Sequence, residues 1–194
     1  MTFTILTICT GNICRSPVAE LLLARGLADL PDVAIASAGT GALVGAGIPD
    51  PALRLLSNDG VDGRAHSSRQ LTSDMIREAD LVLAMAREHR RAAVELLPAA
   101  TRRTFTVREF ARVSEALASE AAPVTAENDP SERMRAAVLR AAGVRGMVPQ
   151  PADPRELDVI DPYRKSDDVF RQSFDELTPA VRSVVEYLSR SAGK

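Results

Sequence analysis

A cysteine and an arginine near the amino terminus have the residue types and the spacing of a site that handles phosphate. The stretch reads Cys9-Thr10-Gly11-Asn12-Ile13-Cys14-Arg15-Ser16, so five residues separate Cys9 from Arg15. A cysteine thiolate is a strong nucleophile, and a guanidinium binds two phosphoryl oxygens with its planar fork. Arginine is abundant in this chain, so the spacing has weight only if the surrounding residues form a suitable loop.

The neighbouring residues predict a tight loop between a strand and a helix. An apolar run precedes the loop, and its Gly11 and Asn12 tolerate left-handed backbone angles. Ser16 as N-cap and Pro17 at the first helical position are typical of a helix start, where free N–H groups attract an anion. We therefore expect this loop to bind phosphate, to lower the pKa of Cys9 and to stabilise its thiolate through the Ser16 hydroxyl. The predicted phosphate-binding residues are Thr10, Gly11, Asn12, Ile13, Cys14 and Arg15.

Strand-like and helix-like segments alternate over the first 110 residues. This alternation predicts an α/β fold: a doubly wound, four-stranded parallel sheet with helices on both faces and its ligand site at the carboxyl ends of the strands. The predicted strands are 3–9, 33–36, 81–85 and 104–107, and the predicted helices are 18–30, 50–58, 73–79 and 87–97.

The pattern changes after Phe110, because residues 123 to 162 contain six of the twelve prolines. Asp129 followed by Pro130 predicts a helix start, and Gly143 its stop, which gives an inserted helix over about 130–142. The last segment has the spacing of an amphipathic helix. We expect a single domain over 1–194 with an insertion at about 112–157. The insertion is either a solvated surface excursion or a lid or docking arm beside the site.

Composition excludes several function classes. The net charge is −2, with no basic run, so nucleic acid is not the expected partner. No apolar stretch approaches membrane-spanning length and no leader pattern is evident, so we expect a cytoplasmic protein without membrane insertion. Two cysteines are too few for a disulfide scaffold or a thiolate zinc site. His89 is expected on an exposed helix face, so it adds no ligand, and we expect neither metal nor cofactor.

Four further segments, together with the loop, resemble the low-molecular-weight protein tyrosine phosphatase family in family order. The resemblance implies that Cys9 is the nucleophile of a cysteinyl-phosphate intermediate, Arg15 the phosphate clamp and Asp161 the general acid. The chemistry also requires a general acid, because a phenolate leaves poorly unless it is protonated. The segments are Ser37-Ala38-Gly39-Thr40, Gly60 to Arg69, Ala79 to Met85 and Asp161-Pro162-Tyr163.

The same resemblance implies supporting roles for other residues. Asn12, Ser37 and His66 match a hydrogen-bonded network that holds the phosphate loop in shape. Leu43 and Tyr163 match positions that contact the substrate ring. Cys14 implies a reversible disulfide with Cys9 that protects the nucleophile from over-oxidation.

Three other functions have to be weighed against a tyrosine phosphatase. Related protein-arginine phosphatases have Thr where this chain has Ile13, so Ile favours phosphotyrosine. Arsenate reductases of similar fold need further cysteines, and none follows Cys14. A phosphate-binding module without turnover would need the loop but not Asp161.

Residues 37–47 and 161–166 are similar to bacterial phosphatases paired with exopolysaccharide tyrosine kinases. This similarity implies a phosphotyrosine protein, with a bacterial tyrosine kinase as the candidate substrate.

Overall fold

Four parallel strands form one sheet in the order β2-β1-β3-β4. The computed structural model describes residues 2–30, 32–118 and 129–194, so residues 119–128 of the predicted insertion lie outside the described part. The strands pair in parallel, Ile5 opposite Ile35 of β2 and Leu81 of β3. Their bounds are β1 Phe3–Cys9, β2 Val33–Gly39, β3 Leu81–Ala84 and β4 Thr104–Thr106.

Helices pack against both faces of this sheet. Alternate residues of β1 enter different cores: Phe3 and Ile5 join one, and Leu6 and Ile8 the other. These features confirm the predicted α/β fold with a four-stranded parallel sheet. The first core includes residues of α1, α2, α5, α6 and α7, and the second includes residues of α3 and α4. The helices are α1 Arg15–Gly26, α2 Asp50–Asn58, α3 Ser73–Glu78, α4 Arg87–Leu96, α5 Val107–Ala116, α6 Pro130–Val144 and α7 Asp167–Ala192.

Some boundaries differ from the predicted ones. Helix α1 begins at Arg15 and ends at Gly26, whereas the sequence predicted a helical run over 18–30 that begins with Ser16 as N-cap and Pro17 at the first helical position. The patterns did not predict α5, although its start carries a capping box. The Thr106 hydroxyl accepts from the Glu109 N–H, and the Glu109 side chain accepts from the Thr106 N–H.

Helix α6 belongs to the core and is not a solvated excursion. It is anchored at the amino end of the sheet, where Arg135 Nε lies 2.9 Å from Asp80 Oδ1 just before β3. The Tyr187 hydroxyl of α7 donates to the Ala137 carbonyl at 2.9 Å. Cys9 lies at the opposite, carboxyl end of β1, so α6 does not cover the loop that follows it. The buried side chains of α6 include Met134, Ala137, Val138 and Ala141.

Residues 145–158 return from α6 along α5 to the carboxyl end of the sheet. Arg112 of α5 donates to the Pro149 carbonyl at 3.0 Å. The Asp158 carboxylate accepts from the Arg87 N–H at 2.8 Å, at the start of α4. The chain is therefore tied to α5 at Pro149, within the predicted insertion, and to the start of α4 at Asp158, directly after it. In the described residues, no helix has the length and apolarity needed to span a membrane.

The packing of α6 predicts different costs for two truncations on one helix. Met134 is fully buried and Leu139 is 52 % exposed. Met134→Ala should lower the free energy of unfolding by about 2–5 kcal/mol because it leaves a cavity, and Leu139→Ala by under about 1 kcal/mol. Urea unfolding curves measure both. Equal, small losses would contradict the placement of α6 in the core.

Candidate active site

The loop from Thr10 to Cys14 lies between the end of the central strand β1 and the start of α1. Its backbone is supported by the chain after β2: the Gly41 N–H donates to the Thr10 carbonyl and the Leu43 N–H to the Gly11 carbonyl, each at 3.0 Å. Gly39 permits this approach, since a Cβ there would stand 2.4 Å from the Thr10 oxygen. The loop borders a cavity of about 140 Å³ lined by Cys9, Thr10, Gly11, Ile13, Cys14, Arg15, Gly41, Leu43, Asp161 and Tyr163.

The Cys9 sulfur has an oriented hydrogen-bond partner. Cys9 Sγ lies 3.0 Å from Ser16 Oγ, and Asn12 Nδ2 donates to the same oxygen at 3.0 Å. Because the amide occupies an acceptor position of Ser16, the hydroxyl hydrogen is free to point at the sulfur. Ser16 is fully buried. This arrangement places a hydroxyl group directly beside the Cys9 sulfur.

Asn12 connects the loop to three other segments. Its φ of +54° lies in the left-handed region, which asparagine tolerates better than most residues. Its Nδ2 also donates to Ser37 Oγ at 2.8 Å, and its Oδ1 accepts from the Arg69 N–H at 2.8 Å. Its carbonyl accepts from His66 Nε2 at 2.7 Å. The structure thus brings together Asn12, Ser37 and His66, as the resemblance implied.

Glu20 completes this network, although the sequence patterns did not single it out. Its carboxylate accepts a hydrogen bond from the Ser37 hydroxyl. The carboxylate also lies 3.7 Å from Arg69 Nη2 and 4.0 Å from His66 Nδ1. Hydrogen bonds therefore run from Asn12 to Ser37 and on to Glu20. The available signal was spacing, because Glu20 follows Ser16 by four residues and so lies on the same helix face.

Arg15 joins the loop to Asp161. Its side chain is 5 % exposed, with Nη2 2.8 Å from Asp161 Oδ2 and Nη1 donating to the Val159 carbonyl at 3.1 Å. Its Nε is buried and has no hydrogen-bond partner in the described part of the chain. The other Asp161 oxygen accepts from the Tyr163 N–H at 3.1 Å. The guanidinium is held in place by these two contacts, and its remaining N–H groups, Nε among them, are left as donors.

The second cysteine is held as a thiol. Both cysteines are buried and are not bonded to each other. Burial, and then the negative charges of Cys9 and Asp161, raise the pKa of Cys14 to about 12 against the opposing charge of Arg15. Cys14 is therefore uncharged near neutral pH. Across the described residues, no three His, Cys, Asp or Glu side chains are grouped as metal ligands.

Apolar side chains surround the mouth of the cavity. Leu43 and Tyr163 are about two-fifths exposed, and Ile13 is buried. The Arg164 guanidinium lies 5.1 Å from the centre of the Tyr163 ring. A flat aromatic group could therefore lie between Leu43 and Tyr163 while its substituent reaches Cys9.

The prediction that His89 is exposed is wrong. It is 2 % exposed, and its Nε2 lies 2.9 Å from Thr10 Oγ1. Helix α4 buries His89 and Ala93, four residues apart, on one face. Burial, and then the charge of Arg15, lower the pKa of His89 to about 4 against the weaker opposing effects of Asp161 and Asp158. His89 is therefore uncharged at neutral pH. Its contact with Thr10 supports the loop after β1, a role that the sequence patterns did not predict.

This buried histidine predicts a loss of stability in mild acid. An unfolded His89 binds a proton near pH 6.5, whereas the folded one does so only near 4, so lowering the pH favours the unfolded chain. Because of His89, the free energy of unfolding should fall by about 2 kcal/mol as the pH is lowered from about 8 to about 5. His89→Gln should lose this part of the pH dependence in urea unfolding curves. Parallel pH profiles would contradict a neutral, buried His89.

Comparison with known proteins gives one consistent family. The model of the low molecular weight phosphotyrosine protein phosphatase family matches residues 4–143. The "Probable low molecular weight protein-tyrosine-phosphatase EpsP" of Ralstonia solanacearum is 38 % identical over 107 residues, which cover 55 % of this chain and 72 % of the relative. The low molecular weight protein-tyrosine-phosphatase Wzb of Salmonella typhi is 42 % identical over 94 residues, 48 % of this chain and 61 % of the relative.

Solved structures share the fold over nearly the whole chain. The Erwinia amylovora tyrosine phosphatase AmsI aligns with a TM-score of 0.69 at 29 % identity, covering 98 % of this chain and 95 % of that one. The YwlE arginine phosphatase of Geobacillus stearothermophilus aligns with a TM-score of 0.68 at 29 % identity, covering 97 % and 94 %. The family model covers well over half of this sequence, and its match includes the Cys9 loop and the network around Asn12. The chain belongs to the low molecular weight phosphotyrosine protein phosphatase family.

Proposed function

We propose that this chain is a protein-tyrosine phosphatase that works through a cysteinyl-phosphate intermediate. One observation carries the proposal: a nucleophile, an anion clamp and a proton donor line the same cavity. These are Cys9, Arg15 and Asp161. A binding module without turnover would have no use for the carboxylate paired with Arg15.

The first step transfers the phosphoryl group to Cys9. The thiolate attacks phosphorus, an S–P bond forms, and the P–O bond to the tyrosine ring breaks. Asp161 gives its proton to the departing phenolate oxygen. Arg15 and the N–H groups at the start of α1 stabilise the charge on the remaining phosphoryl oxygens, and Arg15 Nε supplies a donor that is otherwise unpaired.

The second step releases phosphate. Asp161, now a carboxylate, takes a proton from water as the water oxygen attacks phosphorus. The S–P bond breaks, and Cys9 leaves as a thiolate that the Ser16 hydroxyl stabilises. The products are inorganic phosphate and the starting enzyme. Residues Thr10 to Arg15 bind the phosphate in both steps. The reaction needs no cofactor.

The cavity lining favours phosphotyrosine over phosphoarginine. Ile13 presents only apolar atoms, and Leu43 with Tyr163 offers a slot for a phenyl ring. A guanidinium substrate would lose hydrogen bonds to water on entering these surroundings without gaining polar partners. The fold does not discriminate the two, because tyrosine and arginine phosphatases align with it equally well.

Two finer points belong to the same proposal. EpsP, AmsI and Wzb are named as tyrosine phosphatases, and the similarity in the loops after β2 and around Asp161 makes a phosphorylated bacterial tyrosine kinase the candidate substrate. Catalysis requires a reduced Cys9, which suits the cytoplasm. Under oxidation, Cys14 would trap Cys9 as a reversible disulfide.

Matched phosphotyrosine and phosphoarginine peptides test the proposal. With a chelator present, phosphate release from the phosphotyrosine peptide should exceed that from the phosphoarginine peptide by at least about tenfold, which corresponds to about 1.4 kcal/mol. Cys9→Ser should abolish release while phosphate binding persists. Preference for phosphoarginine would overturn the role of Ile13. Phosphate release by the Cys9→Ser variant would contradict the assignment of Cys9 as nucleophile. No phosphate release from either peptide would favour a binding module.

A further inference from the structure

An ion pair between α5 and α7 holds the backbone directly before Asp161. Arg108 Nη1 of α5 lies 3.5 Å from Glu176 Oε2 of α7. The same Arg108 nitrogen donates to the Asp158 carbonyl at 3.0 Å, and the same Glu176 oxygen accepts from the Ile160 N–H at 2.9 Å. The pair therefore contacts the chain on both sides of Val159.

The peptide groups between these two contacts are also hydrogen-bonded. The Val159 N–H donates to the Met85 carbonyl at 2.8 Å, directly after β3, and the Val159 carbonyl accepts from Arg15 at 3.1 Å. Every backbone polar group from the Asp158 carbonyl to the Ile160 N–H thus has a partner. This segment is fixed to β3, α1, α5 and α7, one residue before the carboxylate.

From this geometry we infer that Arg108 and Glu176 are positioning residues that aim Asp161 at the leaving oxygen. The inference rests on the proposed function, because it assigns the pair a role in proton donation. Asp161 is half exposed, and its described contacts are Arg15 and the Tyr163 N–H. When the Arg15 guanidinium binds a phosphoryl group, it no longer holds the Asp161 carboxylate. The position of that carboxyl group then depends on the stem, the backbone of residues 158–160. Proton transfer requires hydrogen-bond distance, so a small displacement of that stem costs rate.

The same contacts contribute little to overall stability. The Arg108 and Glu176 side chains are 30 % and 23 % exposed, so truncating Glu176 opens a space that water can enter. Partly exposed ion pairs of this kind contribute little to the free energy of unfolding. A variant at either position should therefore fold, and its defect should appear in the chemistry that depends on Asp161.

Leaving-group dependence tests the inference. Phenyl phosphate needs a proton on its leaving oxygen, whereas 2,4-dinitrophenyl phosphate does not. Glu176→Ala should lower kcat/KM about tenfold for the first substrate and less than about twofold for the second. Glu176→Gln keeps an oxygen that accepts from the Ile160 N–H, so it should recover most of the loss. Asp175→Asn, an exposed change on the same helix, should leave both rates unaltered.

The Asp161→Ala background separates the inference from the proposed function. There, Glu176→Ala should add no further loss with phenyl phosphate, because the acid is already absent. Equal losses with both substrates, or an additive loss in this background, would show that Glu176 acts elsewhere and overturn the inference alone. If Asp161→Ala itself failed to distinguish the two leaving groups, the general acid would be misassigned and both proposals would fall.

Discussion

The shape of the phosphate loop depends on the buried amide of Asn12. Its backbone is in the left-handed region, and its side chain and carbonyl together bond to Ser16, Ser37, Arg69 and His66. A buried polar group left without a partner costs about 1–3 kcal/mol, so these bonds are satisfied together or the loop changes shape. The amide also orients the Ser16 hydroxyl toward Cys9. The polar network that shapes the loop thus also fixes the hydroxyl beside the sulfur of the proposed nucleophile.

Arg15 connects this network to Asp161, the proposed general acid. It begins α1 directly after the loop, and its guanidinium reaches Val159 and Asp161 at the end of the long segment that follows α6. That segment is fixed in turn by Asp158 on Arg87 and by the Arg108–Glu176 pair. Helix α6 lies at the amino end of the sheet, yet the residues after it return to the carboxyl end. The residues that reach the site, Asp158 to Asp161, thus lie directly after the predicted insertion at about 112–157.

Local patterns predicted most of the sheet because its strands are short apolar runs between clear breaks. Strand β1 and helix α2 have the predicted bounds, and the loop after β1 was predicted from glycine, asparagine and a following helix start. The start of α1 was placed too late, because Cys14 and not Ser16 is the N-cap of the helix, and no side-chain hydrogen bond caps it. Helix α5 was missed despite its Thr106 capping box. His89 was predicted to be a surface residue of the helix after β3, whereas the face it shares with Ala93 is buried. Contacts such as Glu20 with Ser37 depend on the folded chain and have little local signal.

In the proposed reaction, the phosphoryl group passes through a covalent bond to Cys9. Rapid denaturing quench of Asp161→Ala with 2,4-dinitrophenyl phosphate tests it directly, because loss of the base for water should let the intermediate accumulate while the good leaving group still departs. Peptide mapping by mass spectrometry should find a phosphoryl group on the peptide that contains Cys9, and none when Cys9 is also replaced by Ser. Phosphorus on another residue such as His89, or continued turnover with no covalent phosphorus, would contradict the account.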